Sequence, residues 1–256
     1  MEPVRSHRNP RVVAAARLHR ARERRATGKT LLEGPGLLAA ALDAGVIPDV
    51  VFALPEDEVT AQLAAEQGFE LTPVEASALR RVSDTETPRG PVAVVAVPRP
   101  SPPSGRDMIV AWGLGDPGNV GTLIRTAAAF GWDFGYTDGT ADPWAPKVLR
   151  AGAGGHFRVA ITPVASTPAL EAAGLVTVAT VVSGGVSPTD LGSGPYALLV
   201  GEEVPGLPPD VVEQSAHKIT IPMPGGMESL NAAIAAGIVI YELSKDEIPE
   251  TEYGER

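Results

Sequence analysis

The sequence contains no cysteine, which excludes disulfides and cysteine-based zinc sites. Its four histidines, His7, His19, His156 and His217, are scattered without the spacing of metal ligands, so no metal is expected. No apolar run reaches the ~18 residues of a membrane span. The arginine-rich N-terminus lacks the apolar stretch that a secretory signal carries. No internal repeat is visible. These absences lead to the expectation of a cytoplasmic protein with no membrane partner.

What is present points to a globular chain. It has 256 residues, 44% hydrophobic and 20% charged, enough for one large domain or two modest ones. The net charge of −10 is unevenly spread. Residues 1–30 hold nine Lys or Arg against Glu2 and Glu23, a local charge of +7 that leaves −17 for the remainder. Such asymmetry fits a polyanionic partner held at one end, or simply a solvated helix. The acidic end, residues 246–256, is expected to be a disordered solubilising tail.

Strand-like and helix-like stretches alternate throughout, the pattern of an α/β protein. "NPRVVAAARLHRARERRATG" has helical composition, with Asn9 placed to cap and Pro10 at the first position. After it, residues 29–97 read as strands separated by short helices. "PRPSPPSGR", residues 98–106, carries four prolines and reads as a linker. The expected division is a domain at 1–97, the linker at 98–106 and a second domain at 107–245. In the second domain the alternation predicts a largely parallel sheet covered on both faces. A long apolar helix, opening near Ser229, closes it.

One stretch, "GLGDPG" at 113–118, matches the G-x-G-x-x-G dinucleotide fingerprint. Pro117 argues against that reading. It removes an amide where phosphate would sit and keeps Asp116 out of helical geometry, so the helix is expected to start near Asn119. Asp138, in "TDG", reads as a turn rather than as the ribose-binding end of a strand.

The flanking residues are more distinctive. "DPGNVGTLIRTAAAFG" puts Asn119 near a helix start and Arg125 six residues on. "LLVGEEVPGL" is an apolar strand running into two acids and a Pro-Gly turn, which places Glu203 at a strand's carboxyl end, where parallel sheets bind ligands. "IPMPGGMESLNAAIAAGIVIYE" is a Gly-rich loop entering a helix, with Ser229 as a candidate cap.

Together, in this order, these three stretches resemble the SpoU (TrmH-like) family of S-adenosylmethionine-dependent RNA 2′-O-ribose methyltransferases, of the SPOUT superfamily. The resemblance covers roughly residues 107–243, and "DPWAPKVLRAGAGGHFRV" is similar to the family's intervening stretch. The N-terminal α/β unit, through "RRATGKTLLEGPGLL", resembles the small L30e-like RNA-binding domain that many members carry. The resemblance implies a parallel sheet closed by a C-terminal trefoil knot. It also implies that Arg125 is the main catalytic residue, as proton acceptor or as a stabilising cation, with Asn119, Glu203, Ser229 and Asn231 positioning it and the ribose. S-adenosylmethionine would be held by Val182, Ser183, Gly184, Gly201, Ile221, Met223, Ser229, Leu230 and Asn231. RNA phosphates would meet Arg17, Arg20, Arg22, Arg24, Arg25 and Lys29. A homodimer is implied, with ribosomal RNA favoured as substrate and tRNA as the alternative. Two positions depart from the family pattern: Glu202, where Asn or Ser is frequent, and Gly152, where Ser is expected. A catalytically inactive RNA-binding protein of the same fold and, more remotely, an NAD-dependent oxidoreductase are the competing readings.

Overall fold

The computed structural model describes residues 3–85, 87–88, 90–192 and 194–245. The expected disordered tail lies outside the described residues. Contacts divide the chain into two compact units, residues 1–99 with 142–158, and residues 100–141 with 159–256.

The first unit opens with α1 (Pro10–Arg17) and α2 (Ala21–Thr27), followed by β1 (Lys29–Glu33), α3 (Pro35–Asp43), β2 (Val50–Ala53), α4 (Glu58–Gln67), β3 (Leu71–Pro73), α5 (Ala76–Val82) and β4 (Val92–Ala96). Asn9 caps α1 by accepting from the Arg11 N–H at 2.9 Å, and Pro10 takes the first turn. The basic N-terminal stretch is two helices, not the single one its composition predicts. The chain turns at Leu18, which enters the core, and the carbonyls of Leu18 and His19 at the break accept from Arg24 Nη1, each at 2.9 Å.

The sheet runs β1-β4-β2-β3. It is mixed, because β4 is antiparallel to both β1 and β2 while β2 and β3 are parallel. One face packs Val12 and Leu79 of the helices against Leu31 and Phe52. The other packs Leu37 and Leu38 against Leu32 and Val51, together with Leu149 from far downstream.

The second unit begins at β5 (Met108–Ala111), α6 (Pro117–Phe130) and β6 (Asp133–Tyr136). The chain then returns to the first unit for residues 142–158, which include α7 (Pro146–Gly152). A boundary drawn only at the proline-rich stretch misses this excursion. Its cause is local chemistry. Leu149 is fully buried in the first unit's core, a contribution of about 2 kcal/mol. Thr30 Oγ1 donates to the Trp144 carbonyl at 2.6 Å. Arg150 pairs with Glu33 at 3.2 Å and Asp84 at 2.9 Å. His156 is buried, with Nε2 2.9 Å from the Pro143 carbonyl, and burial pushes its pKa down to about 4.

The second unit continues with β7 (Ile161–Pro163), α8 (Thr167–Ala172), β8 (Val176–Thr180), β9 (Tyr196–Val200), α9 (Pro209–Gln214), β10 (His217–Ile219) and α10 (Ala232–Ser244). Among the described residues its sheet has six strands in the order β10-β8-β9-β5-β6-β7. Every pairing is parallel. That explains the uninterrupted apolar runs of β5 and β9, which are buried along their whole length. Leu170 of α8 and Val211 of α9 pack with Met108, Val110, Ala197 and Leu199. Helices α6 and α10 pack on each other and reach β5, β6 and β9. Parallel strands put the loops that follow β5, β8, β9 and β10 at one edge of the sheet, the edge where α/β sheets bind ligands.

Candidate active site

The helix expected to start near Asn119 starts earlier. Asp116 is the N-cap of α6, Pro117 fills the first position, and the Asp116 carboxylate accepts from the Asn119 N–H at 2.8 Å. Proline is well tolerated there because the first-turn amide has no helical partner to lose. This arrangement also removes the dinucleotide reading. The Gly113 N–H donates to Thr137 Oγ1 at 2.9 Å, the Gly115 N–H to Glu202 at 3.0 Å, and the Asn119 N–H to Asp116. Amides that a pyrophosphate would need are already engaged, and Asp138 lies in a turn.

Three side chains distant in sequence meet in a closed polar triangle. Glu203 Oε1 accepts from Asn119 Nδ2 at 3.2 Å and Asn231 Nδ2 at 3.0 Å, and Asn231 Nδ2 also reaches Asn119 Oδ1 at 2.9 Å. The same Glu203 oxygen accepts from the Ala232 N–H at 3.2 Å. A carboxylate at the first turn of α10 complements the unpaired amides there. The Glu203 carboxyl is held below its ordinary value by bonds from its own backbone N–H and from that of Ala232, with Asn119 adding to the effect. Asn231, not Ser229, is the cap of α10, accepting from the N–H groups of Ala233 at 3.1 Å and Ile234 at 3.3 Å. The triangle ties the start of α6, the loop after β9 and the start of α10 into one edge.

Beside it lies a partly open cleft with mostly apolar walls, the character of small-molecule sites. Of the residues expected to hold a cofactor, Val182, Gly201, Ile221, Met223, Ser229 and Leu230 line it. Ser183 and Gly184 are exposed and do not line the cleft, and Asn231 stands in the triangle instead. Sequence reasoning missed Thr180, Val200 and Leu207 in the walls. The first two end strands β8 and β9, and Leu207 follows the Pro-Gly turn, so an apolar residue just beyond a strand-end turn was the available signal. Gly201 is required by packing: a Cβ there would stand 2.7 Å from the backbone of Gly206 and Leu207. Apolar walls with backbone polar groups and a carboxylate at Glu202 fit a flat heteroaromatic ring joined to a cationic tail.

Arg125 is exposed on α6 and makes no hydrogen bond or ion pair among the described residues. It joins neither the triangle nor the cleft wall. Of the six basic residues assigned to RNA, Arg17, Arg20, Arg22 and Arg25 are exposed. Arg24 is not available: it is buried and bound through Nε and Nη2 to Asp142 at 3.0 and 2.6 Å. Lys29 pairs with Asp49 at 3.0 Å.

Comparison with known proteins places this geometry. Residues 107–241 match the SpoU rRNA Methylase family, and residues 9–93 match the MRM3-like substrate binding domain. The chain is 32% identical to the 23S rRNA (guanosine(2553)-2'-O)-methyltransferase RlmP of Bacillus subtilis (strain 168), covering 95% of this chain and 99% of that protein. An AdoMet-bound rRNA methyltransferase from Sinorhizobium meliloti superposes with a TM-score of 0.84 at 30% identity, over 97% of this chain and 99% of its own. The SpoU methyltransferase AviRb from Streptomyces viridochromogenes, in complex with AdoMet, gives 0.84 at 26% identity, over 94% and 98%. The chain belongs to the SpoU rRNA methylase family, and its activity is that of an RNA 2′-O-methyltransferase.

Proposed function

We propose that the protein methylates a ribose 2′-oxygen of 23S ribosomal RNA, using S-adenosylmethionine held in the cleft between the loops after β8, β9 and β10. The observation that carries the reading is the junction of that cleft with the Asn119–Glu203–Asn231 triangle. The match of the first unit to a substrate-binding domain and the Bacillus subtilis relative's rRNA substrate support the choice of RNA.

When bound, S-adenosylmethionine supplies a methyl group made electrophilic by a sulfonium. The chain's own task is to make a ribose hydroxyl nucleophilic at neutral pH. Arg125 suits that task as a permanent cation, because a guanidinium keeps its proton to pH ~12 and presents five N–H donors. It would hold the adjoining phosphate and stabilise negative charge developing on the 2′-oxygen. That oxygen gains the methyl, and its proton leaves through phosphate or water. The triangle keeps α6, and so Arg125, in register with the loop after β9. Arg17, Arg20, Arg22 and Arg25, each exposed, would meet RNA phosphates.

We read the protein as a homodimer. Ile234, Ile238 and Tyr241 of α10 recur at helical spacing and are 57%, 39% and 46% exposed, an apolar stripe suited to a second copy. We read the enzyme as cytoplasmic, alongside the ribosomal RNA it would modify.

Incubation with methyl-labelled S-adenosylmethionine and either unmodified 23S rRNA or tRNA tests the reading. Label in 23S rRNA, recovered in alkali-resistant dinucleotides, is expected. Label in tRNA alone overturns the substrate, and label recovered in alkali-released mononucleotides overturns the ribose assignment.

A further inference from the structure

Strand β9 ends in two consecutive glutamates with different employment. Glu203 is committed to the triangle, its Oε1 taken by three N–H donors. Glu202 is half-buried and, like Glu203, lines the cleft, but it has no part in the triangle. Its single hydrogen bond among the described residues comes from the Gly115 N–H, 3.0 Å from Oε1. It forms no ion pair among the described residues, and no Lys, Arg or His lines the cleft. A carboxylate in the wall of a cleft with no cation beside it is open to a positively charged ligand.

We propose that Glu202 is a charge-specificity residue, whose carboxylate supplies the counter-charge for a cationic occupant of the cleft. This rests on the assignment of S-adenosylmethionine to that cleft. The methyl donor and its demethylated product, S-adenosylhomocysteine, share the adenosine and amino-acid parts. They differ by one methyl and one positive charge, since the sulfonium becomes a neutral thioether. Apolar walls and backbone groups recognise the shared parts and discriminate weakly between the two. A fixed negative charge beside the sulfonium favours the donor by Coulomb attraction and finds no such charge in the product, while the α-ammonium that both carry does not distinguish them. Glu202 therefore biases the cleft towards the methyl donor and hastens exchange after transfer. It is a binding residue acting on the preference for donor over product, and it takes no proton.

The test is the pair of dissociation constants for S-adenosylmethionine and S-adenosylhomocysteine, measured by calorimetry on the full chain without RNA, for the parent and Glu202→Gln. Glutamine keeps an oxygen to accept from Gly115 and removes only the charge. The expected result is donor binding weakened about fivefold, the scale of a partly exposed ion pair, with product binding unchanged. In the parent, raising the salt should weaken donor binding more than product binding. Salt that weakens both equally overturns the proposal without any variant. Equal weakening of both ligands in Glu202→Gln would reduce Glu202 to a tether for Gly115 and overturn the proposal, as would no change in either. A parent that binds neither ligand overturns the cofactor assignment itself, and the proposal with it.

Discussion

Arg24 in α2 and Arg125 in α6 show what the two units do with a guanidinium. Arg24 is 5% exposed, and all three of its nitrogens are bonded: to Asp142 and to the carbonyls of Leu18 and His19. Arg125 is exposed and bound to nothing among the described residues. In the first unit, polar groups such as Arg24, Thr30 and Arg150 close the fold on itself. In the second, the polar groups of the triangle, at two helix starts and one strand end, are fixed by one another and leave a cation and a cleft facing outward. A charge that is fully partnered carries stability, and a charge without a partner is available to a substrate.

Exchanging these roles by mutation gives effects of decreasing size. Arg24→Ala should cost about 3 kcal/mol of the first unit's stability, the low end for breaking a buried pair, because the Asp142 side chain remains 29% exposed. Denaturant unfolding checks it, and Asp142→Asn in a double-mutant cycle should give less than the sum of the two single losses. Arg125→Ala should leave the unfolding curve unmoved and lower the methylation rate about a hundredfold, as for loss of one stabilising donor. Arg125→Lys should restore part of that rate with no shift in the apparent pKa of the rate profile. A large shift would make the arginine the proton acceptor and remove the contrast drawn above.

The triangle gives a smaller, pH-dependent effect. Because Glu203 is held below its ordinary value, the folded state gains from its ionised form above the unfolded pKa, and the gain is lost as pH falls through the lowered folded value. The contribution of Glu203 to the second unit's stability should therefore persist through the ordinary glutamate pKa of about 4.3 and be lost only below it, and Glu203→Gln should remove that part of the acid limb in denaturant unfolding. The smallest effect is expected on the basic face. Arg20→Gln and Arg25→Gln should each reduce the salt slope of RNA binding by about one, across RNA sequences alike, and leave stability unchanged where Arg24→Ala does not.

Much of this was legible in the sequence because it depended on local rules. Alternating strands and helices, the Asn9 cap and the three spaced stretches that meet in the triangle were readable from residue order. What failed depended on tertiary partners. Arg24 looks like its neighbours Arg22 and Arg25 until Asp142, more than a hundred residues away, is brought to it. Pro117 reads as an obstacle until Asp116 is seen capping the helix around it. Ser229 and Asn231 are both good caps by composition, and the bonds to Glu203 and Asn119 decide for Asn231. The antiparallel β4 gives the same apolar run as a parallel strand, so the mixed order of the first sheet has no signature in its residues.

The return of residues 142–158 to the first unit has a consequence for synthesis. Leu149, Trp144 and Phe157 belong to the core built on β1 and β2. A nascent chain that has cleared the ribosome only as far as its proline-rich stretch therefore holds a sheet with one face only partly covered. The N-terminal unit can finish only after β5, α6 and β6 of its neighbour have also emerged. The two units are made in overlapping order, and a chain cut at the proline-rich stretch yields an unfinished first unit.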